Sequence, residues 1–284
     1  MMATLESAAA SRARAPRRRP PSARGAGWPT IRRLALAALI PATGCATTLE
    51  REAREAATGG VDPGPLLATL GDQYAAITAT KRILAITLVE GRRRYRGDGV
   101  VWYRAAPRRL RAEVFGPQDV SILRARLVGD SLTVVLPREG EVLHGALDDP
   151  RFIARTGERA FIGPGSLGAL LGAYDVRALA AAATDTAAAN DGDRRTLYLT
   201  GAEGVQAFTL EATTGRLVEV RHGLGGRLLA RVRFADFAAV EGRMSPRSVV
   251  LRDLLHDRQL VLTVTRETSD VPADIFASGT GDGF

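Results

Sequence analysis

One cysteine, Cys45, is all that the 284 residues contain. No disulfide can form inside the chain, so its stability has to come from a buried core. Histidine is almost as scarce: His144, His222 and His256 are scattered, each near a strand end or a turn. Without a spaced cluster of His, Cys or carboxylates, neither a metal site nor a cofactor is expected. Apolar runs are short as well. The run from Leu34 to Ile40 has seven residues, against the roughly 20 that cross a bilayer, so a transmembrane helix is excluded there. No other stretch qualifies.

The net charge of +8 loses its force once its distribution is followed. Residues 1–44 hold eight arginines and one glutamate, which leaves 31 basic and 30 acidic side chains in the other 240 residues, a net of about +1. A basic chain would invite a nucleic-acid reading, but this one is balanced beyond its leader and carries no such motif, so no nucleic-acid partner is expected. Those 240 residues suffice for one large β domain.

In the leader, Arg32 and Arg33 precede the apolar run, Pro41 ends it, and Ala42-Thr43-Gly44 lead into Cys45. That is the layout of a secretory signal peptide. It resembles the bacterial lipoprotein signal, with Ala42 where leucine is usual. The resemblance implies cleavage before Cys45, diacylglycerol on its thiol and an acyl chain such as palmitate on the new amino group. An ordinary cleaved signal, or a basic arm in which Cys45 is incidental, is the competing reading. Residues 1–44, with their Arg/Pro/Ala-rich start, are excluded from the fold.

Residues 45–63 read as a tether, since the Glu/Arg/Ala stretch from Thr47 to Gly60 shows no apolar face and is partly helical at most. Pro63 and Pro65 open a segment in which Leu66, Leu70, Tyr74 and Ile77 recur every three or four residues, which predicts a helix over 65–79 with one buried stripe. After Lys81 the period becomes two. Turn signals at Gly91, Ala106-Pro107, Gly116-Pro117, Gly129-Asp130 and Glu139-Gly140 separate short strands, as in an antiparallel meander. Leu110, Ala112 and Val114 alternate with charged residues. Leu123, Ala125 and Leu127 alternate with Arg124 and Arg126, and Leu132, Val134 and Leu136 follow.

Between residues 149 and 176 the alternation stops, and Phe152-Ile153 with Leu167, Leu170, Leu171 and Tyr174 predicts short helices. Residues 180–193, rich in Ala, Thr, Asp, Asn and Gly, read as a loop. Strands resume after it, marked by Leu197 and Leu199, Phe208 and Leu210, Val218 and Val220, the run Leu228 to Phe234, and alternating apolar residues near 250 and 262. Residues 277–284 read as a flexible tail. The fold class is mainly β with helices (α+β): a curled antiparallel half barrel of about eleven strands, because twist accumulates in so wide a sheet. The helices are too few to cover both faces, so they are expected over or inside the concave side.

Several motifs of catalysis fail in context. Gly163-Pro164-Gly165-Ser166-Leu167-Gly168 matches a dinucleotide fingerprint, but that fingerprint needs a buried parallel strand before it, and the surroundings are antiparallel hairpins. Its glycines are expected to serve a turn, a helix start and close packing. Ser166 lacks the flanking glycines of a nucleophile elbow. Asp148-Asp149 before Pro150 reads as a helix cap. The arginines at positions 92–94, 96, 104, 108 and 109 suit either a solvated face or anionic headgroups. No enzyme is expected.

Four stretches carry a resemblance to a known family: Arg94-Tyr95-Arg96-Gly97-Asp98-Gly99-Val100-Val101-Trp102, Leu110-Arg111-Ala112-Glu113-Val114-Phe115-Gly116-Pro117, Leu167-Gly168-Ala169-Leu170-Leu171-Gly172 and Pro272-Ala273-Asp274-Ile275-Phe276. With the helix, six strands, helical insert and further strands around them, residues 64–276 resemble the LolA/LolB group of lipoprotein carriers and receptors, in particular the LolB-like lipoproteins. That resemblance implies a half barrel with a helical lid, whose apolar cavity takes the acyl chains of a lipoprotein or lipid cargo. Leu110, Ala112, Val114, Leu123, Leu127, Val134, Val232 and Phe234 are expected to line the concave side, with Leu167, Leu170 and Leu171 on the lid helix. A small barrel packed solid with its own side chains, serving as an adaptor that docks another envelope protein, is the alternative. The family's receptor carries an apolar side chain on the loop after its third strand. Here that turn is Gly116-Pro117-Gln118-Asp119, short and polar, which favours a lipid-binding envelope protein over an insertion receptor. The same resemblance implies a monomer held on the periplasmic face of the outer membrane, because Ala46, not Asp, follows the cysteine.

Overall fold

The computed structural model describes residues 49–147, 149, 151–152 and 164–276. The leader, Cys45, the tail from residue 277, and Asp148, Ile153 and Gly163 lie outside the described residues. Two helices come first, α1 (Leu49–Thr58) and α2 (Gly64–Ala75). Six strands follow: β1 (Ala79–Glu90), β2 (Arg93–Arg104), β3 (Arg109–Phe115), β4 (Ser121–Val128), β5 (Ser131–Leu136) and β6 (Glu141–Ala146). Then come α3 (Pro164–Leu171) and α4 (Val176–Ala182). The chain continues through β7 (Asp185–Asp191), β8 (Arg194–Gly201), β9 (Gly204–Glu211), β10 (Leu217–Leu224), β11 (Arg227–Val240), β12 (Arg243–Asp253) and β13 (Arg258–Thr268). A short 3-10 turn, Ala273–Phe276, follows β13.

All thirteen strands form one antiparallel sheet in the order β6-β5-β4-β3-β2-β1-β13-β12-β11-β10-β9-β8-β7. Two meanders therefore meet where the first strand pairs the last, with Ile86 opposite Leu262. The sheet curls but does not close, because β6 and β7 remain its two edges. Register shifts at Ile83/Leu84, Val114/Phe115, Leu217/Glu219 and His222/Gly223 place bulges that sharpen the bend. The open antiparallel half barrel with helices expected from the sequence is the fold observed.

Three expectations need correction. The described residues form thirteen strands instead of about eleven, with seven after the helices. Much of the segment 180–193 is not loop: it ends α4 and forms β7, where Ala187 and Ala188 point to opposite faces and both are buried. Nor does the stretch from Thr47 to Gly60 lack an apolar face. Its described part forms α1, and Leu49, Ala53 and Ala56 bury against Ala187, Tyr198, Val205 and Ala207 on the outer face of the sheet. Alanine spaced three and four apart makes a narrow stripe that suffices because the strands beneath also present small side chains.

Two apolar cores occupy the concave side. One joins α2 and α4 to β7–β13, and there Tyr174 fills the centre, edge-on to Phe208 at 5.5 Å and to Phe234 at 6.4 Å. The other lies over β1–β6 and holds Leu84, Val101, Leu110, Leu127 and Leu143. Helix α3 sits between them, and Leu170 packs against both. Gly168 allows this close fit, since a Cβ there would lie 2.4 Å from the Tyr174 ring.

Candidate functional site

A hollow of about 530 Å³ remains between α3 and the concave face of β1–β5 and the adjoining β12 and β13, which add Leu251, Leu260 and Leu262. This lies within the roughly 300–1,000 Å³ of small-molecule sites. Its floor is built by alternation: Leu84, Ile86 and Leu88 on β1, Val101 on β2, Leu110, Ala112 and Val114 on β3, and Leu123, Ala125 and Leu127 on β4. Leu167 and Leu170 of α3 form the roof. Small residues keep it open. Ala112 and Ala125 face each other across the β3–β4 pair, and Gly97 and Gly99 contribute no side chain from β2. The mouth lies at the strand ends, where Glu90, Tyr95, Arg96, Arg138 and Glu139 ring the opening, all exposed.

Of the expected cavity residues, Leu110, Ala112, Val114, Leu123 and Leu127 line this hollow, as do Leu167 and Leu170. Four do not. Val232 and Phe234 lie in the half that Tyr174 and α2 fill, Val134 packs in the second core with Leu143 and Phe152, and Leu171 turns into that same core with no exposure. The lining residues that the sequence reading missed include Leu84, Ile86 and Leu88 on β1 and Leu251, Leu260 and Leu262 on β12 and β13. On β1 the cause is plain. The alternation is hidden because Ile83, Ala85 and Val89 make the other face of β1 apolar too.

The roof is tied down by a buried polar network. Arg82 on β1 is wholly buried; its Nη1 donates to the Leu170 carbonyl at 2.7 Å and its Nη2 donates to Ser245 Oγ at 2.7 Å. Nη2 also lies 3.1 Å from Glu267 Oε1. Glu267 in turn accepts from Ser245 at 2.6 Å, from Thr80 at 3.2 Å and from Arg243. Burial lowers the Arg82 pKa to about 10 in spite of Glu267. For Glu267 burial acts to raise the pKa, but Arg82, the Ser245 hydroxyl and Arg243 outweigh it and hold the carboxyl below its ordinary value.

His144 meets Thr133, His222 meets the Glu203 carbonyl and His256 meets Asp253, far apart along the strands. Among the described residues no three His, Cys, Asp or Glu come together to hold a metal ion. Ser166 sits in α3 at the cavity roof. Asp149 accepts from the Arg151 amide at 2.9 Å. A second hollow, of about 540 Å³, has a mixed lining in which Asp72, Gln73, Arg216 and Arg243 stand beside Ile77, Leu217, Phe237 and Met244.

No family model and no curated protein sequence matches the chain. Solved structures do. A DUF1329 family protein from Desulfovibrio piger aligns with a TM-score of 0.58 at 12% identity, over 76% of this chain and 98% of that one. A LolA superfamily protein from Nitrosomonas europaea aligns with a TM-score of 0.53 at 16% identity, over 76% and 98%. A domain from Vibrio parahaemolyticus, described as an outer membrane lipoprotein-sorting protein, gives 0.57 at 11% identity, over 76% and 97%. The chain thus has a LolA/LolB-like fold.

Proposed function

We propose that this chain is a lipid-anchored envelope protein that shelters the acyl chain of a lipoprotein or lipid in the hollow beneath α3. In this reading it acts as a monomer and by binding, without catalysis, on the periplasmic face of the outer membrane, with Cys45 carrying the anchor. The observation that carries it is the hollow itself, an apolar space of about 530 Å³ that the protein's own side chains leave unfilled. Each methylene sheltered there contributes about 0.8 kcal/mol, so a chain of ordinary length is held without polar chemistry. An adaptor with a solid core has no use for such a space.

The test has two arms. In cells, the mass of the mature amino terminus should show acylated Cys45, and Cys45→Ala should abolish that modification. In vitro, the purified Cys45→Ala chain should take up a fluorescent fatty acid saturably and release it to unlabelled acyl competitors. An unmodified amino terminus would remove the anchor from the reading, and absent uptake would remove the cargo.

A further inference from the structure

The strands run up and down, so every second turn emerges at the mouth of the hollow. Three of these turns are neighbours along the rim: β1–β2, β12–β13 and β10–β11. The middle one presents Leu254 and Leu255, 45% and 57% exposed. It is braced rather than floppy: the Leu254 amide donates to the Leu229 carbonyl at 2.9 Å, and Asp253 accepts from the amides of Leu255 and His256. Two leucines held outward on a structured turn are not explained by packing. The β10–β11 turn adds exposed Leu224 and Leu228.

Positive charge flanks these leucines. The β1–β2 turn carries Arg92, Arg93, Arg94 and Arg96, all exposed and with no ion pair among the described residues, against the single acid Glu90; the β10–β11 turn carries exposed Arg227. The exposed acid Asp257 stands among them on the β12–β13 turn. Apolar tips between arginines match the interface of an anionic bilayer, where leucines enter the acyl boundary and guanidinium groups meet phosphates. The path of the chain agrees. Helix α1 starts at this same end: Leu49 abuts Gly223 and Glu50 accepts from the Gly226 amide at 3.0 Å. Leu49 follows Cys45 by four positions, and extended backbone covers at most about 14 Å in that length.

We propose that the rim formed by these three turns docks on an anionic phospholipid bilayer, with Leu254 and Leu255 inserted and the hollow opening onto the membrane. The docking geometry stands by itself. Its purpose, passing an acyl chain between bilayer and hollow, rests on the function proposed above.

The test uses the full chain carrying Cys45→Ala, with one new cysteine for an environment-sensitive fluorophore: Leu255→Cys at the rim, or Asp191→Cys in the β7–β8 turn at the opposite end. With phosphatidylglycerol-containing vesicles the label at position 255 should shift to the blue and the label at 191 should not, whatever the basic leader does. Leu254→Asp with Leu255→Asp, in the unlabelled chain, should weaken vesicle partition by about tenfold or more, and added salt should weaken it further. Circular dichroism checks that each variant is folded. No vesicle binding, binding with the 255 label still in water, or insertion of the 191 label would each overturn the proposal. Fatty-acid uptake without vesicles is measured in parallel. Its loss alongside a normal shift at 255 would defeat the acyl reading and leave the docking intact.

Discussion

The guanidinium of Arg82 donates to the main-chain carbonyl of Leu170 at 2.7 Å, so a side chain from the centre of the sheet holds the last turn of the helix that roofs the hollow. The same guanidinium faces Glu267 across the β1–β13 seam. One buried ion pair thereby fixes both the join between the two meanders and the position of the roof.

Removing the acid should cost more than removing the base. Glu267→Ala leaves Arg82 charged, buried and without its counter-ion, an arrangement that costs about 3–5 kcal/mol. Arg82→Met leaves Glu267 with Arg243, Ser245 and Thr80, so the loss should be smaller, while the released roof should speed exchange of a bound acyl probe. Urea unfolding and stopped-flow displacement measure the two effects.

Acid should weaken the protein through the same carboxyl. Glu267 has a folded-state pKa below its ordinary 4.5, so its contribution is present above that value and is lost as pH falls through the lower, folded one. Stability measured by urea from pH 6 downward should therefore fall for the natural chain. Glu267→Gln should be less stable near neutrality and show a shallower decline over the same range. Parallel curves would contradict the assignment.

Substitutions should separate the hollow from the packed half. Ala125→Phe projects a ring into the hollow and should lower fatty-acid affinity by about tenfold or more, because space for several methylenes is lost, with little change in melting temperature. Phe234→Ala, beside Tyr174 in the filled half, should cost about 3–5 kcal/mol and leave acyl affinity nearly unchanged. Fluorescence titration and thermal unfolding read both.

Helix α1 should detach without unfolding the sheet. Glu52 receives both Arg221 donors, at 3.1 and 2.8 Å, and the Tyr198 hydroxyl at 3.3 Å, while Ala53 is buried beneath. Ala53→Asp places an unpaired charge in that seam. Hydrogen exchange should rise across Leu49–Thr58 and on the outer faces of β7 and β8, with β1 and β13 still protected.

Much of this architecture was legible in the chain because period two and regular turns are strong signals. The half barrel, the roof helix and five of the eight cavity residues follow from Leu110 to Leu127 alternating with charge. What escaped has physical causes. Alternation says which way Val232 and Phe234 face, but not that Tyr174, distant in sequence, fills the space before them. The bulge between Leu217 and Glu219 puts Leu217 and Val220 in the core, where strict alternation pairs Val218 with Val220. Strand β7 is built from Ala and Asn with no β-branched run, so tertiary pairing with β8 decides it. The Arg82–Glu267 pair joins residues 185 positions apart, and nothing local to either announces it.

Photo-affinity labelling with a diazirine fatty acid tests the central claim most directly. After irradiation and peptide mapping, labelled sites should concentrate on residues 84–88, 110–127 and 167–170 around the hollow, and excess unlabelled fatty acid should suppress them. Labelling spread over the outer surface, or none that competitor can suppress, would contradict the view that this space holds an acyl chain.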